Sequence, residues 1–268
     1  MTEPPALPQP PRAAVTDDHA FAAWAATVAG DLLTEVRSQG LEGRALKDAG
    51  DQAAHDFLMR LCAAYRPDDA VMSEESRASI DDRRRLEAPR VWIIDPLDGT
   101  REFSEPPRED WAVHVALWAG TDGDGELVAG AVAQPGLGRT FGTGTPPLVP
   151  PRSSERPRIV VSRSRPPAFV ASLAEELGAE LVPMGSAGAK VMAVVRDVAD
   201  AYVHAGGQYE WDSAAPVAVA RAAGLHTSRI DGSPLVYNRA DVWMPDLLVC
   251  RPELTDTILD HVARVGAE

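Results

Sequence analysis

Cysteine is nearly absent. The 268 residues hold two, Cys62 and Cys250, with no CxxC pair. That excludes a thiolate metal site of the usual spacing and a disulfide framework, and it fits a reducing cytoplasm. No apolar run approaches the length of a membrane span. The N-terminus "MTEPPALPQPPRAAVTDDHA" lacks the basic-then-apolar build of a signal peptide. Positive charge is in short supply: 26 Lys and Arg face 40 Asp and Glu, for a formal net charge of -14. A chain this acidic excludes a nucleic acid polymer as its main partner, because phosphate-backbone binding needs a basic face. A small phosphorylated substrate stays open wherever a metal ion or local basic groups reverse the field.

Several catalytic schemes are missing as well. His19, His55, His114, His204, His226 and His261 show no HExxH or HxH spacing. "MGSAG" is not a GxSxG elbow, because Met184 stands where the first glycine belongs. No GxxxxGK[ST] loop occurs.

What is present is a regular alternation of elements. Residues 1 to about 16 are proline-rich and read as a flexible tail. Phe21, Trp24, Ala25, Val28, Leu32, Leu33 and Val36 recur at helical spacing over 17–37, and a second helix is expected over 51–64. "DAVMSEES", "RVWII", "WAVHVALWAG" and "LVAGAVAQP" read as strands. "TDGDGE" between the last two reads as a hairpin turn, since a calcium loop needs further ligands and a later Glu. A linker is expected at 142–157. Beyond it "RIVVS", "AELVPMG" and "DAYVHA" read as strands, and 167–178, 188–199 and 212–224 as helices. The pattern predicts an α/β protein of two lobes, 17–150 and 151–268, with sheets covered by helices.

The chemistry concentrates in "RVWIIDPLDGTREF". A buried strand ends there in two aspartates, Asp95 and Asp98, three positions apart. Like charges so close repel, and leaving them buried without purpose is costly. A hard cation such as Mg²⁺, which seeks carboxylate and carbonyl oxygens, offsets the repulsion. The Leu97 carbonyl can add a ligand, Pro96 stiffens the turn, and backbone N–H groups at Gly99 and Thr100 can seat a phosphate. Asp51, the Glu74–Glu75 pair and Asp212 are the other acidic positions; Asp51 and Asp212 each also suit a helix N-cap.

"GD" at 50–51, "SEES" at 73–76, "WIIDPLDGT" at 92–100, "GSAG" at 185–188 and "WDSAA" at 211–215 stand in one order and spacing. In these the chain resembles the magnesium-dependent, lithium-sensitive phosphatases typified by inositol monophosphatase, from about residue 17 to the end. The resemblance implies a layered αβαβα sandwich and two Mg²⁺ ions, with a third, weaker one. It implies that Glu74, Asp95 and the Leu97 carbonyl hold the first ion and that Asp95, Asp98 and Asp212 hold the second. Thr100 and Glu74 would position an attacking water, and Asp51 would help bind the third ion. Gly99, Thr100, Arg101, Ser186 and Lys190 would contact substrate, with in-line attack by water and no phosphoenzyme. It also implies a homodimer.

Within the family, "DGTREF", Lys190 ahead of "WD", and the lack of a carboxylate at Val203–Ala205 resemble the CysQ-type bisphosphate nucleotidases. Lys190 and Arg101 would then serve a second phosphate, with Arg163 and Arg165 further candidates. That branch implies removal of the 3'-phosphate from 3'-phosphoadenosine 5'-phosphate, in sulfate assimilation. The alternatives are a broader phosphatase for inositol 1-phosphate or fructose 1,6-bisphosphate, and a non-enzymatic sensor that kept the fold.

Overall fold

The computed structural model describes residues 7–121, 124–164 and 166–266. In chain order the elements are α1 (Arg12–Thr16), α2 (Asp18–Arg37), α3 (Gly43–Tyr65), β1 (Ala70–Ser73), α4 (Arg77–Asp81), β2 (Arg90–Asp98) and α5 (Thr100–Phe103). Then come β3 (Ala112–Thr121), β4 (Asp124–Gln134), β5 (Arg139–Gly142), β6 (Arg158–Ser162), α6 (Val170–Leu177), β7 (Glu180–Met184) and α7 (Ala187–Val195). The chain closes with β8 (Ala201–Tyr209), α8 (Glu210–Ala222), β9 (His226–Ser228), β10 (Trp243–Cys250) and α9 (Thr255–Val265).

Two five-stranded sheets result, ordered β1-β2-β3-β4-β5 and β7-β6-β8-β10-β9. In the first, β1 lies parallel to β2 and the other pairs are antiparallel. In the second, β7, β6 and β8 are parallel, while β10 runs antiparallel to β8 and β9. β2 shows why this order needs cover on both faces. Trp92 and Ile94 pack with Phe21, Leu33 and Leu58 of α2 and α3. Val91 and Ile93 point the other way, among Met192, Trp211 and Ala215 of α7 and α8. α7 and α8 also meet Tyr202, Leu247 and Val249 of the second sheet, whose far face carries α6 and α9. Five layers follow, α2/α3, sheet, α7/α8, sheet, α6/α9, as the αβαβα expectation has it. α8 is rich in alanine, and it approaches the first sheet so closely that a Cβ on Gly130 would stand 2.7 Å from that of Ala218.

Three local expectations are corrected. The segment read as a flexible tail to residue 16 contains α1, with Ala14 fully buried and Leu7 against the α2/α3 core. α3 begins at Gly43, so Asp51 lies inside a helix rather than at its start. β9, β10 and α9 were not anticipated. β3 and β4 pair up to Thr121 and Asp124 as a hairpin; residues 122–123 of the expected turn, and Arg165, lie outside the described residues. No helix among the described residues is long and apolar enough to cross a membrane.

Candidate active site

The strand alternation that sends Val91 and Ile93 toward the middle layer sends Asp95 the same way. On β3, His114 sits opposite Asp95 in register. Between Asp95 and Asp98 the pairing slips, with Asp98 opposite Ala112, so β2 bulges at Pro96, where there is no N–H to pair. The tip is held by its own atoms: the Leu97 N–H donates to Asp95 Oδ1 at 3.0 Å. The Thr100 hydroxyl lies 3.1 Å from the Leu97 carbonyl and 3.3 Å from Asp51 Oδ1. Gly99, at φ 83°, turns the strand into the single turn of α5.

α8 delivers the remaining acid. Asp212 lies in its first turn and accepts the Tyr209 N–H at 2.6 Å, so it caps the helix from within rather than preceding it. Asp95, Asp98 and Asp212 each offer an oxygen within 4.8 Å of the others. Asp98 is gripped by the start of α7. Its Oδ2 receives the Ser186 hydroxyl at 2.5 Å and the Gly188 N–H at 2.6 Å, and lies 3.2 Å from His114 Nε2. Its Oδ1 receives the Ala187 N–H at 3.1 Å. Ser186 caps α7 at φ 54°, an unfavourable conformation for a residue with a side chain, while its hydroxyl also accepts the Ala189 N–H.

Electrostatics follow from this packing. Burial pushes Asp95 well above the carboxylate range, and Glu74, Asp98 and Asp212 push it further. Burial, and then Asp212 and Glu75, take Glu74 up to about 8, against the pull of its contact with Asp95. Asp212 rises to about 6, through burial and then Asp98. Asp51 rises to about 7, through burial and then Glu75, against the pull of the Thr100 hydrogen bond. Burial would raise Asp98 too, but His114, Ser186 and Lys190 overcome it and hold it at about 2. Four carboxyls driven toward neutrality beside one fixed as an anion form a site whose mutual repulsion a cation would offset.

A cleft of about 480 Å³ is lined by Asp98, Gly99, Ser186, Lys190 and Asp212 among others. Lys190, one of two lysines in the chain, is 5% exposed, and burial pulls its pKa down. Its Nζ donates to the Ser186 carbonyl at 2.7 Å and lies 5.1 Å from the Tyr202 ring centre. Arg101 is at the rim, exposed, and paired with Glu105 at 3.1 Å. Arg163 binds Glu102 and Glu105, each at 2.8 Å. Of the three arginines considered for a second phosphate, Arg101 and Arg163 therefore already have acidic partners.

Sequence reasoning missed His114, although a lone polar residue within the apolar run "AVHVALWAG" is itself a signal. It also missed Gly188, whose role depends on a contact across the fold. A Cβ there would stand 2.0 Å from His114 Nε2. Gly188→Ala is expected to lower stability by about 1–3 kcal/mol and to reduce activity with it. Denaturant unfolding and phosphate release measure both, and wild-type values for the two would show that α7 can shift without disturbing Asp98.

A profile of the inositol monophosphatase family matches residues 16–266. A 3'-phosphoadenosine 5'-phosphate phosphatase of Mycobacterium leprae is 50% identical over 258 residues, 92% of this chain and 94% of its own length. A 3'(2'),5'-bisphosphate nucleotidase CysQ of Escherichia coli is 31% identical over 199 residues, 70% of this chain and 78% of its own. Among solved structures, CysQ from Bacteroides thetaiotaomicron superposes with a TM-score of 0.69 at 25% identity, over 88% of this chain and 98% of that one. Inositol monophosphatase II of Staphylococcus aureus gives 0.72 at 22% identity, over 92% and 97%. With its five layers, its converging acids and a family match across nearly its whole length, the chain belongs to the inositol monophosphatase family.

Proposed function

We propose that this protein is a Mg²⁺-dependent phosphomonoesterase that hydrolyses the 3'-phosphate of 3'-phosphoadenosine 5'-phosphate to AMP and phosphate, serving sulfate assimilation in the cytoplasm. The observation that carries the reading is one cleft lined both by the acids Asp98 and Asp212 and by the buried Lys190. The relatives named above, at 50% and 31% identity, support the same substrate class.

The donor set is all oxygen and mostly carboxylate, which suits a hard divalent cation. Glu74, Asp95 and the Leu97 carbonyl would hold one Mg²⁺; Asp95, Asp98 and Asp212 would hold a second, and a weaker third would lie by Asp51. When bound, the ions neutralise phosphoryl charge and make water a better nucleophile near neutral pH. The chain's own groups do the positioning. Thr100, already bridging toward Asp51 and Leu97, can turn its hydroxyl to a water, and Glu74 can accept that water's proton. Gly99, Thr100 and Ser186 border the phosphate end. Lys190 supplies the cation for the second phosphate, with Arg101 at the rim available once it leaves Glu105. A homodimer is part of the proposal and is read by sedimentation.

The test is kcat/KM with Mg²⁺ for 3'-phosphoadenosine 5'-phosphate, inositol 1-phosphate and fructose 1,6-bisphosphate. A preference of roughly a hundredfold for the nucleotide, about 2.7 kcal/mol, is expected; equal values would overturn the nucleotidase reading. Lys190→Ala is expected to harm the bisphosphate nucleotide more than inositol 1-phosphate, and matching losses would remove the role given to Lys190.

A further inference from the structure

β1 and β2 are parallel neighbours, so the chain between them, 74–89, must cross over before β2 can begin. That crossover starts at Glu74 and runs through a buried arginine. Arg85, in the 3₁₀ turn Arg83–Leu86, is 2% exposed. Its guanidinium donates to three oxygens: Nε to the Ile80 carbonyl at 3.2 Å, Nη1 to Asn238 Oδ1 at 2.8 Å and Nη2 to the Arg239 carbonyl at 2.7 Å. Asn238 Nδ2 in turn donates to the Arg85 carbonyl at 3.3 Å. All three acceptors are neutral, so what the side chain supplies here is the fixed geometry of its planar fork.

Both ends of this arrangement lead to acids of the site. Toward β1, the Ile80 N–H donates to the Ser76 carbonyl and the Ser76 N–H to the Ser73 carbonyl, each at 3.1 Å. The Ser79 hydroxyl donates to the Ser76 carbonyl at 2.9 Å and receives the Ser73 N–H at 3.1 Å. Glu74 lies on the span that these bonds close. Toward α8, the Asn238 and Arg239 N–H groups donate to the two oxygens of Glu210, at 2.6 and 2.8 Å. Glu210 is fully buried and opens α8, two residues ahead of Asp212. Asn238 holds its place at φ 58°, in the left-handed region that asparagine enters more readily than most residues. A continuous path of hydrogen-bonded residues thus runs from the Glu74 turn to the helix that carries Asp212.

We propose that Arg85 is a positioning residue for the reaction: it clasps the Glu74 segment to the 238–239 loop and to the start of α8, and so sets Glu74 against Asp212. The inference rests on the reading of the site as a Mg²⁺-dependent phosphatase. Without the clasp, Glu74 is carried only by β1, a strand of four residues at the edge of its sheet. Groups that orient metal ligands without touching the ion commonly govern affinity or turnover by about ten- to a hundredfold. Glu74 is assigned two tasks, holding an ion and accepting the proton of water, and a slack clasp harms both. Gly99, Ser186 and Lys190 stand at or near the starts of α5 and α7, off this path, so substrate capture is spared.

The experiment compares wild type with Arg85→Met, which keeps an unbranched stem and removes the fork. Titration calorimetry of the metal-free protein with Mg²⁺ is expected to show Kd raised by about tenfold. With 3'-phosphoadenosine 5'-phosphate at saturating Mg²⁺, kcat is expected to fall by about tenfold while KM stays within about twofold. Arg85→Lys, which keeps the charge but not the fork, should share the loss. If Arg85→Met fails to fold, Asn238→Gly is read in the same way, because glycine tolerates the positive φ while withdrawing one acceptor from the guanidinium. A lower melting temperature with wild-type Mg²⁺ Kd and wild-type kcat overturns the role and leaves Arg85 a brace of the fold. A raised KM with kcat unchanged overturns it as well, since the loss then lies in substrate capture. Full activity in Arg85→Lys overturns the part given to the fork. A wild type that binds no Mg²⁺ and turns over without it overturns the reading of the site itself, and this role with it.

Discussion

Asp95→Asn is expected to lower phosphate release by roughly three decades, about 4 kcal/mol of transition-state stabilisation, while raising the melting temperature of the Mg²⁺-free protein. The two effects have one cause. Asp95 is buried among Glu74, Asp98 and Asp212, and burial and those acids disfavour its charge. An asparagine keeps the Oδ1 that accepts the Leu97 N–H and replaces the second, charged oxygen beside Glu74 with an N–H. The substitution removes charge without removing shape, so without metal the fold loses a repulsion. Each kcal/mol recovered should appear as about 2–4 °C in a chain of this size. With Mg²⁺ the same change removes a charged oxygen that both ions would share. Activity within tenfold of wild type would show that Asp95 is not at the reacting centre. A fall in both activity and metal-free stability would show that its role is structural.

The second expectation concerns pH. Glu74, Asp95, Asp212 and Asp51 all titrate higher in the folded chain than the ordinary values near 4, with Glu74 at about 8, Asp51 at about 7 and Asp212 at about 6. The folded state therefore binds more protons than the unfolded state between about pH 4 and pH 8. Stability must fall as pH rises through that window, because the slope follows the difference in bound protons. Asp98 acts in the opposite sense, at about 2, and its contribution is lost only in acid. Without Mg²⁺ the melting temperature should decline from pH 5 to pH 8. Added Mg²⁺ should recover more of it at pH 8 than at pH 5, because the ion binds the deprotonated site. A flat metal-free profile across that range, by differential scanning calorimetry, would mean that the acids are not strained against one another.

Much of this was legible in the chain, for a physical reason. Two carboxylates at the end of a buried apolar strand have few bland explanations, so Asp95 and Asp98 stood out from "WIIDPLDGT" alone. β2 and β3 were legible because a strand covered on both faces must be apolar throughout. β10 was not: Pro245 interrupts "WMPDLLVC", and the strand survives it only through a shift of register between Met244 and Asp246. The start of α3 was hidden because its first turns, "GRALKDAG", carry little apolar pattern. The order of the five layers rested on family resemblance, because local periodicity says which face of an element is buried but not what buries it. His114 and Gly188 share that limit, each defined by a partner distant in sequence.

The close approach of α8 to the first sheet has a consequence for the ions. Asp212 is carried by α8 and Asp95 by β2, so the gap between them is a dimension of the middle layer. Ala215 and Ala218, with Gly130 facing them, keep that layer thin. Choice between Mg²⁺ and the larger Ca²⁺ turns on cavity size and ligand flexibility. In the proposed Mg²⁺ site the methyl groups of a hydrophobic core would thereby gauge ionic radius, and selectivity would be set partly by alanines that touch no ion.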